Sequence, residues 1–170
     1  MGNTFRWLDS DEQRAWRAFL TMNRLLFEKV DRQLQCDAGM PHAYYEILVR
    51  LSEVPGHALR MSKLAESSTS SRSRLSHAVA RLEEAGWVRR TADPCDRRGA
   101  VAQLTDEGFA ALAAAAPGHV TAVRETLFDP LTPEQVTQLR AIAEAVTTHL
   151  GENPYPTDEG EAQAAEPVGG

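Results

Sequence analysis

Hydrophobic residues recur every three or four positions over the first part of the chain, which is the spacing of an amphipathic helix. Ser10, with Gln13 three residues later, forms a capping-box pattern, so this helix is expected to begin at Ser10 and to end near Gln35. A second helix is predicted from Pro41, with the apolar positions of segment 44–51 on one face. The hydrophobic positions of the first helix are Trp16, Phe19, Leu20, Leu26, Phe27, Val30 and Leu34.

The middle of the chain alternates short helical and strand-like patterns. A helix over about 62–66 is followed by a run of serine and threonine, which favours a turn and a new helix N-cap. The next helix is expected over about 71–85, where Gly86 suits the left-handed conformation that ends a helix. Strand-like runs at 87–91 and 100–104 then predict a β-hairpin.

The remaining chain predicts two further helical segments. Thr105 is expected to cap the first, and Pro117, followed by glycine, is expected to kink or break it. Thr132 and Gln135 form a second capping-box pattern, which predicts a final helix to about Leu150. The predicted fold class is therefore mainly α with a small β-hairpin wing, between long N- and C-terminal helices.

The helix predicted over 71–85 has an apolar side and a polar side when its residues are placed about 100° apart. The order helix, turn, helix, strand, hairpin, strand is that of a winged helix-turn-helix, whose second helix can enter the major groove of DNA. A small, polar and cationic surface suits that role, and an exposed helix whose arginines are merely solvated is the alternative. Leu75, Ala78, Val79 and Leu82 share the apolar side, whereas Ser73, His77, Ala80 and Glu84 lie opposite, flanked by Arg72, Arg74, Ser76 and Arg81.

Charge is distributed unevenly, because the chain carries a net charge of −6 while segment 72–98 holds seven arginines against four acidic residues. A basic segment on an acidic body is expected where one face meets a polyanion. At the hairpin tip, Arg97 and Arg98 are candidates for a narrow minor groove, and Asp96 can orient one of them. Of the two adjacent strand arginines only one should face DNA, and Arg90 is the candidate. The predicted DNA-contacting residues are Ser70, Ser71, Arg72, Ser73, Arg74, Ser76, His77, Arg81, Arg90, Asp96, Arg97 and Arg98.

Four stretches of the sequence carry a recognisable pattern. They are Leu64-Ala65-Glu66, Ser71 to His77, Arg81 to Arg90, and Asp96-Arg97-Arg98-Gly99 leading to Leu104-Thr105-Asp106-Glu107-Gly108. Together they resemble the MarR-type family of winged helix-turn-helix regulators, over about residues 10–150, and the most specific part is the wing pattern Asp-x-Arg followed by Leu-Thr-x-x-Gly. The resemblance implies a homodimeric repressor on a palindromic operator, a recognition helix at Ser71 to His77, and a wing pair of Asp96 and Arg98, with Arg98 in the minor groove.

The same resemblance implies a division of the chain into four parts. Residues 1–54 would hold the N-terminal dimerisation helix and the second helix, 55–104 the DNA-binding lobe, and 105–150 the C-terminal dimerisation helices. The acidic tail 151–170 is expected to be disordered. Packing within one subunit is the alternative to a dimer. Apolar residues that offer material for a dimer interface are Trp7, Leu8, Trp16, Phe19 and Leu20 at one end, and Leu127, Phe128, Leu131, Val136, Leu139, Ile142 and Val146 at the other.

Many members of the family change their DNA affinity when a small aromatic or phenolic compound binds between the dimer helices and the winged lobe. His42, Tyr44 and Tyr45 in the second helix are candidates to line such a cleft, with Trp16 nearby. The alternative is that these tyrosines are ordinary core residues with satisfied hydroxyl groups.

Other classes of function find little support in the sequence. The chain has no catalytic motif and no metal-ligand spacing among its five histidines, so we expect no enzyme, metal or cofactor. It has no signal sequence or apolar run of membrane-spanning length, so we expect a soluble, cytoplasmic protein with no membrane partner. Two alternatives stay open: oxidation sensing through Cys36 or Cys95, neither of which matches the position used by redox-sensing relatives, and a winged-helix module that binds protein instead of DNA.

Overall fold

A computed structural model describes residues 5–66, 71–93 and 96–151, except for the side chains of residues 96–98. The described residues up to Pro130 form one compact unit, and those from Leu131 to Gly151 form a second unit that contains the last helix. The predicted mainly helical fold with a small β-wing is confirmed. The helices and strands are α1 (Ser10–Ala38), α2 (His42–Ser52), β1 (Ala58–Arg60), α3 (Met61–Glu66), α4 (Arg72–Glu84), β2 (Val88–Asp93), β3 (Asp96–Leu104), α5 (Asp106–Val123) and α6 (Pro133–His149).

Helix α1 is 29 residues long and so extends over about 43 Å. Its N-cap is Asp9 and not Ser10, because the Asp9 carboxylate accepts hydrogen bonds from two backbone N–H groups while Glu12 bonds back to the Asp9 backbone. Gly39, in the left-handed conformation, ends the helix. Of the residues of α1, only Val30 and Leu34 are buried, so most of this helix lies outside the hydrophobic core.

The hydrophobic core lies where the end of α1 meets α2, α3 and α4. Helix α4 contributes the four residues that the sequence assigned to its apolar side, and all four are buried, which confirms that prediction. Because these four residues pack in the core, the opposite side of α4 faces solvent. The most completely buried large side chains are Leu34, Met40, Leu48, Leu51, Leu64, Leu75, Val79 and Leu82.

The sheet has three antiparallel strands in the order β1, β3, β2. Strands β2 and β3 are longer than predicted and form the wing hairpin, with Val88 opposite Leu104 and an irregularity between Ala92 and Asp93. Strand β1 was not predicted. It pairs Leu59 with Ala102 on the other side of β3, and so connects the segment before α3 to the wing.

Helix α5 begins in close contact with the end of the preceding turn. Thr105 caps the helix by accepting from the Gly108 N–H (3.0 Å), as predicted, and its hydroxyl donates to the Gly86 carbonyl (2.7 Å). A Cβ atom on Gly108 would lie 2.1 Å from the Trp87 carbonyl oxygen and 2.9 Å from Leu104 Cδ1. Glycine at position 108 is therefore what allows α5 to sit against the base of β2.

The predicted break at Pro117 is wrong, because α5 runs through this residue to Val123. Proline removes one backbone donor, but the surrounding residues are mostly alanine, which has the highest helix propensity. The next residue, Gly118, faces α1 closely enough that a Cβ atom there would lie 2.9 Å from Gln33 Nε2. A π-helical turn at Arg124–Phe128 then ends this helical region.

The second unit contains α6. Thr132 and Gln135 form the predicted capping box, with Pro133 in the first turn. None of the residues of α6 is buried, and Ile142, Val146 and the following Leu150 leave a large apolar surface exposed. No helix among the described residues is long and apolar enough to cross a bilayer.

Candidate nucleic-acid interface

Helices α3 and α4 form the helix-turn-helix. The turn at residues 67–70, and with it the candidate Ser70, lies outside the described residues. Ser71 is the N-cap of α4, as predicted, and its hydroxyl accepts from the Arg74 backbone N–H at 3.4 Å. The first turn of α4 holds no acidic residue, so its positive end is not neutralised from within the helix.

The outer face of α4 carries the candidate side chains. Ser73, His77 and Glu84 are exposed opposite the buried face, and Ala80 is half-buried. Arg72, Arg74, Ser76 and Arg81 are also exposed. The structure therefore brings seven of the predicted residues onto one continuous surface, and they are Ser71, Arg72, Ser73, Arg74, Ser76, His77 and Arg81.

Carboxylates pair with some of the candidate arginines and leave others unpaired. Arg81 donates to Glu84 at 2.7 Å, and this contact is the main reason that the pKa of Arg81 is raised. Within the described chain, neither Arg72 nor Arg74 has a carboxylate at ion-pair distance. The charge available to a polyanion is therefore concentrated at the N-terminal end of α4.

Arg90 does not stand free on its strand. Glu83 accepts from the backbone N–H of Arg90 at 2.9 Å and also binds its guanidinium group. Glu83 thereby joins the end of α4 to strand β2. The neighbouring Arg89 is exposed and makes no ion pair among the described residues. Arg90, the strand arginine that the sequence predicts to face DNA, therefore connects two elements, and Arg89 has the unpaired charge.

A contact that the sequence did not suggest holds the wing at the far end of β2. Asp93 is buried and pairs with Arg60, with 2.7 Å between Oδ2 and Nε. Asp96 lies opposite Asp93 at the start of β3. The candidates Asp96, Arg97 and Arg98 are thus placed on the wing hairpin by their backbone, and their side chains lie outside the description.

The four candidate ligand residues do not share one cleft within a single chain. Tyr44 and Tyr45 are neighbours on α2, so they point about 100° apart, and Tyr45 is buried while Tyr44 turns toward α4. His42 contacts Phe27 of α1, with 5.5 Å between ring centroids. Trp16 precedes Phe27 by eleven residues on α1, and so it lies about 16 Å from Phe27 along the helix axis.

His119, which the sequence analysis did not single out, completes an aromatic cluster with two of these candidates. Its ring lies 4.3 Å from that of Tyr45 and 5.8 Å from that of His42, centroid to centroid. Its Nδ1 is buried without a hydrogen-bond partner among the described residues. Burial lowers the pKa of His119, and the nearby His42 lowers it further.

This environment makes the stability of the protein depend on pH. Because the pKa of His119 in the folded state is below its ordinary value near 6.5, the unfolded chain binds the proton more readily. We expect the free energy of unfolding to fall as the pH drops through about 6.5, and His119→Phe to reduce that fall. Urea denaturation at a series of pH values measures the free energy of unfolding of the unchanged protein and of His119→Phe. An equal pH dependence in the two proteins would show that His119 is not responsible.

Other reactive groups are sparse in the described part of the chain. Cys36 is an exposed free thiol on α1, whereas Cys95 lies outside the description. No group of three or more His, Cys, Asp or Glu side chains there is arranged to hold a metal ion.

Comparison with known proteins places the chain in a family. A sequence model of the MarR family matches residues 41–100. The fold superposes on Sco3205, a MarR family transcriptional regulator from Streptomyces coelicolor solved in complex with DNA, with a TM-score of 0.83 and 52% identity over 89% of this chain and 95% of that one. AbsC, a MarR family regulator from the same organism, gives a TM-score of 0.79 and 44% identity over 87% of this chain and 100% of that one.

A curated relative is more distant. The transcriptional regulator PecS of Dickeya dadantii is 38% identical over 97 residues, which is 57% of this chain and 58% of the length of PecS. All three relatives are described as transcriptional regulators, in agreement with the prediction of a regulator and not an enzyme. The identity to Sco3205 and AbsC extends over nearly their whole length. The chain belongs to the MarR family of transcriptional regulators.

Proposed function

We propose that this protein is a sequence-specific regulator that binds double-stranded DNA, with α4 in the major groove. The observation that carries the proposal is the two-sided nature of α4. Leu75, Ala78, Val79 and Leu82 hold one side in the core, while the other presents small polar residues and the unpaired guanidinium groups of Arg72 and Arg74. That is the surface needed to approach base edges and phosphates together.

Several residues of this surface and of the wing have specific roles under this proposal. Arg74 and Ser73 are directed at base edges, because they follow the first residue of the helix, where recognition helices make base contacts. Ser71 and the free backbone donors of the first turn bind phosphate. The wing places Arg98 in the neighbouring minor groove, with Asp96 orienting it. Arg89 adds a phosphate contact from β2. That Sco3205, which is 52% identical to this chain, was solved in complex with DNA supports the proposal of DNA binding.

We further propose that the protein acts as a homodimer on an inverted repeat. In the first unit, α1 leaves Trp16, Phe19 and Leu20 about half exposed, and in the second unit α6 leaves Ile142 and Val146 exposed. Large apolar surfaces of this kind are rare on proteins that remain monomeric. Two copies related by a twofold axis would present two α4 helices to two half-sites about one helical turn apart.

Repression is the regulatory direction that we propose, because a dimer bound across a promoter excludes the polymerase. A small aromatic effector would then relieve repression by lowering the affinity of the protein for its operator. A reporter gene under the selected operator tests the direction, since repression requires higher expression when the regulator is deleted.

The DNA-binding proposal is tested by selecting bound sequences from a random duplex pool and then measuring affinity at increasing salt. We expect an inverted repeat to be recovered, and the logarithm of the association constant to fall linearly with the logarithm of salt concentration. The slope is about 0.9 for each phosphate neutralised. A flat salt dependence, or a pool with no enriched sequence, would instead favour a winged-helix module that binds protein.

A further inference from the structure

Arg60 stands where the helix-turn-helix meets the wing. It is the last residue of β1 and directly precedes Met61, the first residue of α3. Across the sheet it lies opposite Val101 of β3, which in turn lies opposite Thr91 of β2. Arg60 is therefore connected both to the first helix of the helix-turn-helix and to the hairpin of the wing.

The strand directions place Arg60 toward the tip of the wing and on its outer face. Strand β2 runs from the base of the hairpin at Val88 toward the tip at Asp93, and β1 runs the same way because both strands are antiparallel to β3. Arg60, at the end of β1, therefore lies on the side of the tip. Ala102 is completely buried, so its neighbour Val101 and the opposite Arg60 belong to the sheet face that is turned away from the core.

The ion pair between Arg60 and Asp93 holds one edge of the guanidinium group and leaves the other edge open. Asp93 Oδ2 lies 2.7 Å from Nε of Arg60. The side chain of Asp93 is 3% exposed, whereas that of Arg60 is 53% exposed. The terminal nitrogens of Arg60, Nη1 and Nη2, donate to no residue in the described part of the chain. Arg60 thus has a buried carboxylate on one side and unused N–H groups on the side of the solvent.

Arg81 on α4 differs from Arg60 in both respects. Glu84 binds Arg81 through a terminal nitrogen, Nη1, and the Glu84 side chain is itself 63% exposed. A phosphate that approached Arg81 would also meet the Glu84 carboxylate, and the two negative charges would repel each other. A phosphate that approaches Arg60 meets the guanidinium first, because the protein covers Asp93. The carboxylate of Asp93 therefore orients its arginine more than it competes for it.

We propose that Arg60 binds a phosphate of the DNA backbone and that Asp93 is the positioning residue that orients it. This inference rests on the proposed DNA-binding function. In a helix-turn-helix, the first helix crosses the DNA backbone while the second lies in the major groove. With the wing in the adjoining minor groove, the phosphates between the two grooves lie next to the junction of α3 and the wing, which is where Arg60 stands. Because Asp93 already holds the guanidinium, little conformational freedom is lost on binding.

Neutral phosphates in the selected operator test the contact directly. A methylphosphonate group removes the charge of one phosphate, and a set of duplexes places it at each position of a half-site in turn. We expect binding about tenfold weaker when the phosphate of Arg60 is neutral, as for the loss of one charge-assisted hydrogen bond. Arg60→Met should bind the unmodified operator about tenfold more weakly and should be insensitive to methylphosphonate at that one position. Fluorescence anisotropy measures each affinity.

Two other arginine variants serve as controls. Arg24→Met removes an exposed guanidinium that pairs with Glu28 on α1, and it should keep the methylphosphonate profile of the unchanged protein. Arg98→Ala removes the proposed minor-groove contact, and it should stay sensitive at the position of the Arg60 phosphate. If Arg60→Met loses sensitivity at no position, the phosphate contact is overturned. If it loses sensitivity at the same positions as Arg98→Ala, Arg60 only holds the wing, which also overturns the contact.

Asp93→Asn tests the positioning role, because charge and geometry predict opposite results. The substitution removes a negative charge from the lobe, so attraction between charges alone would strengthen DNA binding. We expect binding about threefold weaker instead, because Arg60 is no longer held by a charge-assisted contact. The loss should disappear on the duplex in which the Arg60 phosphate is neutral. Equal or tighter binding to the unmodified operator overturns the role of Asp93.

Arg60→Lys separates a contact with DNA from a role in folding. It keeps the positive charge, so it should recover part of the affinity and the sensitivity at the Arg60 phosphate. Recovery of neither, in a variant that circular dichroism shows to be folded, overturns the contact.

Binding to any duplex distinguishes this proposal from the proposed function. A protein that binds no duplex overturns both. A protein that binds the operator, with the same methylphosphonate profile before and after Arg60→Met, retains DNA binding and overturns only the role of Arg60.

Discussion

Replacing Gly108 with alanine is expected to lower the free energy of unfolding by about 3 kcal/mol or more, at the upper end of the cost of overpacking. The new methyl group would lie 2.1 Å from the Trp87 carbonyl oxygen and 2.8 Å from its carbonyl carbon. Backbone atoms cannot rotate away as the end of a side chain can. Helix α5 would have to move off β2 and break the hydrogen bond from Thr105 N to Trp87 O (3.0 Å).

The same helix offers a matched control. Gly118→Ala places its methyl group 2.9 Å from Gln33 Nε2, the flexible end of a half-buried side chain. It should be close to neutral or stabilising by up to about 1 kcal/mol, since alanine favours helix over glycine. Urea midpoints of the two variants measure the difference. Similar midpoints would show that the contact between α5 and Trp87 is not tight.

Arg74→Ala is expected to weaken binding to the selected operator by about 1 to 3 kcal/mol, which is roughly 5- to 150-fold. The reason is that Arg74 is unpaired and lies in the first turn of α4, where base contacts are made. The loss should be larger on the operator than on random duplex. A uniform loss on both would reassign Arg74 to a phosphate contact.

Arg81→Ala is the matched control, because it removes the same side chain from the same helix. Glu84 already binds Arg81, so less of its charge is available to DNA, and a smaller loss is expected. Fluorescence anisotropy with a labelled operator measures both variants, and circular dichroism shows that they remain folded. An equal or greater loss for Arg81→Ala would contradict the assignment based on unpaired charge.

Elements determined by local chemistry were predicted well from the sequence. The buried side of α4 follows from the spacing of Leu75, Val79 and Leu82, and the end of that helix follows from Gly86, which has a φ of 75°. The capping box of α6 is likewise a pattern of four residues. In each case the deciding interactions lie within one or two helical turns, so a single sequence contains them.

Features that depend on distant parts of the chain were missed. Strand β1 has three residues, and only its pairing with β3, more than forty residues later, makes it a strand. The bond between Glu83 and Arg90 spans a turn whose geometry the helical pattern does not specify. The aromatic cluster at His119 exists because α5 packs on α1 and α2. Adjacent tyrosines look equivalent in a sequence, although a helix sends them to different surfaces.

The N-cap of α1 and the course of α5 were mispredicted for a different reason. Asp9 and Ser10 are both good N-cap residues, and the choice between them depends on which has the better partner three residues later. That partner is Glu12, which bonds the Asp9 backbone. Pro117 was expected to kink or break α5, but its neighbours favour helix strongly enough that α5 continues through it without a break.

The bond of Glu83 to both the backbone and the guanidinium of Arg90 means that α4 and the wing strand share one anchor. Related proteins that keep this bond can then come to prefer different DNA sequences in two ways. Under the proposed binding mode, substitutions on the outer face of α4 would change which bases are favoured while keeping the distance between the two proposed groove contacts. A change at Glu83 or Arg90 would instead loosen the connection between α4 and β2 and so alter that distance.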